Sequence, residues 1–112
     1  MYLICLDDDP RLEATLQRFA KQLGHRLGFH THSRSFKAEL EWQEPDLVLL
    51  DLQLGRESGI DIINWLADRP AKVPLVLLSG HSAEVLETAR RIARSAGLEV
   101  RGIVGKADLV RD

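Results

Sequence analysis

The stretch from Pro45 to Gly59 reads PDLVLLDLQLGRESG, and the rest of the chain is arranged around it. Leu47 to Leu50 and Leu52 are apolar, with Asp51 set among them. A carboxylate buried unpaired in such a run is costly. A short apolar run of this kind reads as a fully buried strand of a parallel sheet, with Asp51 where the strand emerges into a loop. In an open α/β sheet the carboxyl end of a central strand is where ligands bind. The same residue is therefore a strand terminator and a candidate site.

Upstream, Tyr2 to Leu6 is a short apolar run that stops at Asp7, Asp8 and Asp9. Asp9 and Pro10 then read as N-cap and first residue of a helix. Leu12, Leu16, Phe19, Ala20 and Leu23 recur at helical spacing, and Gly24 closes the pattern. Leu27 to Thr31 is half polar and is expected at the sheet edge. Ser33 or Ser35 can cap a short helix carrying Phe36, Leu40 and Trp42, and Pro45 blocks its continuation.

Downstream, a loop is expected over Gly55 to Ser58, then a helix with Ile60, Ile63, Trp65, Leu66 and Ala67 ending before Pro70. Leu75 to Leu78 is the next strand, stopping at Ser79 and Gly80. Ser82 to Ala96 is the longest helical pattern, with Val85, Leu86, Ala89, Ile92, Ala93 and Ala96 expected to pack on the sheet and Gly97 closing it. Val100 to Val104 is the fifth strand, ending at Gly105 and Lys106. Strands alternating with helices in this way imply βαβ units and a doubly wound parallel sheet with helices on both faces. Trp42 and Trp65 read as packing residues. His25, His30 and His32 read as surface residues around the edge strand, at the opposite end of the first βα unit from the acids.

With 112 residues the chain is long enough for one domain and one core, residues 1–112. It is 45% hydrophobic and 29% charged, with a formal net charge of −2 and no dense basic block. That balance does not support a direct nucleic-acid or anionic-membrane surface. Cys5 is alone, so no internal disulfide forms and a reducing, cytoplasmic compartment fits. No apolar run approaches the length of a membrane span, and no signal-peptide pattern opens the chain.

If the strand order is 2-1-3-4-5, the flavodoxin-like order, the polar residues that end the strands fall on one edge. These are Asp7 and Asp8, Asp51, Ser79 and Lys106. Taken singly, each has a plainer reading: a helix-capping acidic loop, a turn serine, a solvated lysine. Together they describe one pocket. Three carboxylates so close repel unless a cation sits among them, and a hard divalent ion such as Mg²⁺ or Mn²⁺ answers that. Lys106 adds a positive charge, Ser79 a hydroxyl donor, and Gly80 a backbone N–H. The set suits a carboxylate nucleophile that accepts a phosphoryl group. His81 is the histidine nearest to this set.

The chain resembles the phosphoacceptor receiver domain of bacterial two-component response regulators over essentially its whole length. The family's acidic pair matches Asp7 and Asp8, its acceptor Asp51, its Thr/Ser Ser79 and its lysine Lys106. DLQLGRESG keeps the family's eight-residue spacing from acceptor to glycine, here Gly59. The resemblance implies direct metal ligation by Asp8, Asp51 and the Gln53 carbonyl, with Asp7 acting through water. It implies phosphoryl transfer from a histidine kinase or histidine phosphotransfer protein, self-catalysed phosphorylation and dephosphorylation without independent turnover, and an output domain or a homodimer.

The sequence departs from the family at four places. Gly55 stands for the loop proline, and Ala107 for the proline usually in a cis bond after the lysine. Ile103 stands for the switch aromatic. Only ADLVRD follows Lys106, so the final helix is expected to be missing or truncated, in a piece of a longer protein or a shortened domain. GLEVRGIVGK also resembles receivers attached to cyclic-di-GMP phosphodiesterase domains. Two rival readings are a pseudo-receiver that binds partners without being phosphorylated, motivated by Ile103 and Ala107, and a small Mg²⁺-dependent phosphatase. Gln53, where that phosphatase would need a second acid, speaks against the latter.

Overall fold

The computed structural model describes residues 1–54, 57–80 and 83–106. Five parallel strands form the sheet: β1 (Tyr2–Leu6), β2 (Arg26–His30), β3 (Leu47–Asp51), β6 (Leu75–Ser79) and β7 (Val100–Gly105). Their order is β2-β1-β3-β6-β7, with β2 and β7 at the edges. This is the order expected from the sequence, and it places β1 beside β3. Four helices connect them: α1 (Arg11–Gln22), α2 (Ser33–Trp42), α3 (Gly59–Asp68) and α4 (Ala83–Ser95). None of these helices is long and apolar enough to cross a membrane.

The alternating apolar residues of the strands divide the core into two. Ile4, Leu6, Val48, Leu50, Leu75 and Leu77 face one side and meet Phe36 and Leu40 of α2, Ile62, Ile63 and Leu66 of α3, and Ala89 and Ala93 of α4. Cys5 and Leu78 face the other side with Leu12, Leu16 and Ala20 of α1. The two small alanines let α4 sit close to the strands. Burial raises the Cys5 thiol well above its ordinary value, so it stays a protonated apolar filler.

Several local expectations are corrected. Glu57 and Ser58, expected in a loop, form a strand: β5 (Glu57–Ser58) pairs antiparallel with β4 (Gln53–Leu54) after the central strand. The N-cap position of α2 is neither Ser33 nor Ser35. His32 is the N-cap residue, without a side-chain cap bond, and the Ser35 hydroxyl donates back to the His32 carbonyl. Trp42 is 82% exposed, because it lies opposite Leu40 on the helix, whereas Trp65 packs tilted against Phe36. Val85, Phe19 and Leu23 are also exposed, at the flanks and end of their helices rather than on the core side. The helix stops are as expected, with Gly24 (φ 76°) and Gly97 (φ 88°) in the left-handed region that favours glycine. The expectations for a fifth helix and for the Lys106–Ala107 bond fall on residues 107–112, outside the described residues.

Candidate functional site

β1, β3, β6 and β7 each end at or directly before a polar residue, and the carboxyl edge where they stop gathers the site. Asp51 is the last residue of β3 and is 1% exposed; Asp7 follows β1 and is fully buried. Asp8, next along, is exposed. One carboxylate oxygen from each of Asp7, Asp8 and Asp51 lies within 4.8 Å of the others. Lys106, directly after β7, reaches across: its Nζ donates to Asp51 Oδ2 at 2.9 Å and stands 2.9 Å from Asp7 Oδ2.

The remaining oxygens are held by the main chain. Asp51 Oδ1 accepts the Gln53 N–H at 3.0 Å, and Asp7 Oδ1 accepts the Asp9 N–H at 2.8 Å. Asp9 in turn accepts the Arg11 N–H at 3.0 Å, so its side chain holds the first N–H of α1, although the N-cap position falls on Pro10, one residue later than expected. Arg11, by side chain and then backbone, holds the Asp9 carboxyl below its ordinary range. Asp7 Oδ2 is the exception: it pairs in charge with Lys106 but has no directional hydrogen-bond partner among the described residues.

The electrostatics follow from this crowding. Burial raises the Asp51 carboxyl above its ordinary value. The Lys106 and Gln53 hydrogen bonds oppose that rise, and the neighbouring Asp7 charge adds to it. Burial alone would depress the Lys106 ammonium, but its bonds to Asp51 and its pairing with Asp7 outweigh it and raise the group overall. One lysine thus serves two buried acids, and a third acid stands at the mouth. The donors are all hard oxygens, one of them an orphaned buried carboxylate oxygen. Such a set fits a divalent ion of the Mg²⁺ or Mn²⁺ kind, and the three acids are positioned to hold one.

Gly59 explains the eight-residue spacing after Asp51. A Cβ there would stand 2.8 Å from the Leu52 Cα, so only glycine lets the first turn of α3 lie on the main chain beside the acid. Ser58 caps that turn, accepting the Ile60 N–H at 3.2 Å. Gly80 lies beside the Lys106 stem, a Cβ at its position standing 3.9 Å from Lys106 Cδ. Ser79 ends β6 in register with Gly105, on the same edge. Its hydroxyl, His81 and the Gly55 turn are outside the described residues.

His25 lies before β2 at the edge opposite the acids, as expected, but His30, which ends that strand, does not. His30 is at the same edge as the acids, its carbonyl accepting the Asp7 N–H at 3.0 Å. Its Nε2 donates to Glu39 Oε1 at 2.6 Å, and the Tyr2 hydroxyl donates to Glu39 Oε2. Burial and Glu39 push the Tyr2 phenol up to about 12. Sequence reading missed this cluster. Its signal was Gly28 in the edge strand, which leaves the space that the Glu39 carboxylate fills and that a Cβ would make it give up.

Comparison with known proteins agrees with this geometry. Residues 3–103 match the profile of the response regulator receiver domain. The TorCAD operon transcriptional regulatory protein TorR of Escherichia coli is 28% identical over 99 residues, 88% of this chain and 40% of that protein. The regulatory protein VirG of Agrobacterium fabrum is 28% identical over 96 residues, 86% of this chain and 37% of that protein. The chain therefore spans about two fifths of the curated relatives it matches. Among solved structures, a response regulator from Colwellia psychrerythraea superposes with a TM-score of 0.79 at 29% identity, covering 94% of this chain and 83% of that one. The receiver domain of the TMAO respiratory system response regulator TorR gives 0.77 at 25% identity, covering 94% and 82%. With its sheet order, its edge of three acids and its lysine, the chain belongs to the response regulator receiver domain family.

Proposed function

We propose that residues 1–112 act as one receiver unit in which Asp51 accepts a phosphoryl group from a phosphohistidine of a histidine kinase or phosphotransfer protein. The observation that carries this is the single buried carboxylate at the end of the central strand, with a lysine ammonium on one oxygen and two further acids beside it. A carboxylate nucleophile needs no general base, and no histidine side chain stands at the site among the described residues. Lys106 is already within reach of Asp51 and neutralises charge on the incoming phosphoryl oxygens. Ser79, from its place on the edge, supplies a hydroxyl to one of them, and the Gly80 N–H serves another. The divalent ion, when bound, adds charge neutralisation on the remaining oxygens.

Asp8, Asp51 and the Gln53 carbonyl are the proposed direct ligands, with Asp7 in support. The Gln53 N–H points at Asp51, and in extended backbone the carbonyl of a residue lies on the same side as its N–H. That supports the Gln53 carbonyl facing the acids. The crevice between Asp51, Gly80 and Val85 has a volume of about 10 Å³, the size of one water. A phosphoryl group entering there displaces Gly80 and the start of α4, so the signal leaves through α4 rather than through Ile103. Intact-mass measurement with acetyl phosphate tests the assignment. One phosphoryl mass is expected with Mg²⁺, none in its absence, and none in Asp51→Asn. A label that survives Asp51→Asn overturns it, and no label even with a phosphohistidine donor favours the pseudo-receiver. The output remains a proposal of the same kind: a domain or partner switched by α4, of the transcriptional or cyclic-di-GMP-related sort.

A further inference from the structure

The outer side of α2 carries a knob and a hole that fit each other. Phe36 and Leu40 bind α2 to the sheet, so Arg34, Ser35, Ala38, Glu41 and Trp42 lie on its solvent side, and all five are exposed. Trp42 is the most exposed large hydrophobic residue described, at 82%. One turn and more away, His32, Arg34, Ser35 and Ala38 line an open groove of about 570 Å³. Two of these four side chains, Ser35 and Ala38, are small. Ser35 and Trp42 are seven residues apart, as are Arg34 and Glu41, so each pair lies along one line of the helix. Neither Arg34 nor Glu41 has an ion-pair partner among the described residues.

We propose that this face is the contact between two copies of the chain, with α2 packed antiparallel on α2 about a two-fold axis at Ala38. The two-fold argument is geometric. Reversing one helix against the other about its midpoint brings Trp42 of each copy over the Ser35 groove of the other. It also brings Arg34 of each copy to Glu41 of the other, because both lie on the same flank. Ala38 meets Ala38 at the centre, where a small side chain allows close approach. The surface is thus complementary to itself in shape and in charge, with a tryptophan as anchor. This contact is independent of the phosphoacceptor site, which lies at the carboxyl edge of the sheet.

Analytical ultracentrifugation of the 112-residue protein, without phosphodonor, tests it. The mass should rise from monomer to dimer with concentration. Trp42→Ala should weaken association by about tenfold or more. Arg34→Glu or Glu41→Arg alone should weaken it, and the two together should restore it. Ala38→Cys should cross-link into a covalent dimer on mild oxidation, with the fully buried Cys5 as a silent control. A monomer at every concentration overturns the proposal, including the case where this face serves a different protein. A dimer indifferent to Trp42→Ala, with no Ala38→Cys cross-link, also overturns it and moves the contact elsewhere.

Discussion

Two polar clusters sit on the same sheet and are built on opposite plans. Around Glu39, both carboxylate oxygens have side-chain donors, His30 and Tyr2, and Gly28 clears the space beneath. Around Asp51, two buried acids share one lysine with a third acid beside them, and a fully buried oxygen of Asp7 lacks a hydrogen-bond partner among the described residues. The first cluster is complete and ties α2 to β1 and β2. The second is one cation short. A complete buried network adds rigidity, whereas an incomplete one costs stability and leaves room for a ligand. Completeness, more than burial, separates the structural carboxylate from the functional one.

The largest expected effect of that difference is on ion binding. Asp8→Ala should weaken Mg²⁺ or Mn²⁺ binding at least as much as loss of an outer-shell partner does, about 10–100-fold, while Glu39→Ala should leave it unchanged. Calorimetric titration of both variants decides, and equal losses would erase the distinction. Stability should respond in the opposite sense. Glu39→Ala strands a half-buried phenol and imidazole and should cost about 2 kcal/mol, read by urea unfolding. A variant as stable as the parent would show that the Glu39 cluster is decoration.

A smaller gain is expected at the acceptor. Asp51→Asn should stabilise the metal-free protein, because the amide carries none of the charge that burial and Asp7 disfavour. The folded protein holds the Asp51 proton to a higher pH than the unfolded chain does. The stability Asp51 contributes is therefore present below its unfolded value and lost as pH rises through its folded value. The advantage of the variant should grow across that window and then level off. A variant that is less stable at neutral pH would mean that Lys106 more than compensates the crowding. The smallest effect belongs to Trp42: on monomer unfolding, Trp42→Ala should stay within about 0.5 kcal/mol, as for an exposed residue outside both clusters.

What could be read from the chain beforehand follows the same division. The strand order, the glycine stops of α1 and α4 and the acids at the edge were legible, because apolar runs ending in carboxylates carry position and chemistry together. Pairings across distance were not. His30 was placed at the wrong end because its partner Glu39 is on another element and nothing local links the two. Trp42 was assigned to packing because bulk suggests burial, while its place on the helix opposite Leu40 decides the matter. The β4–β5 pairing was hidden by its shortness, two residues a side, well under the length at which alternation can be seen.

The lysine bond across the site also bears on how the chain is made. Lys106 and Asp51 are 55 positions apart, and Lys106 follows β7, which pairs with β6 alone among the strands. During synthesis from the N-terminus, β1 and β3 can pair, bringing Asp7 and Asp51 together, well before the lysine has left the ribosome. Over that interval the nascent sheet carries its acids without their built-in counterion. Docking of β7 on β6, a pairing across about 25 positions, then carries Lys106 over to Asp51, so the step that adds this strand is also the one that makes the carboxyl edge tolerable.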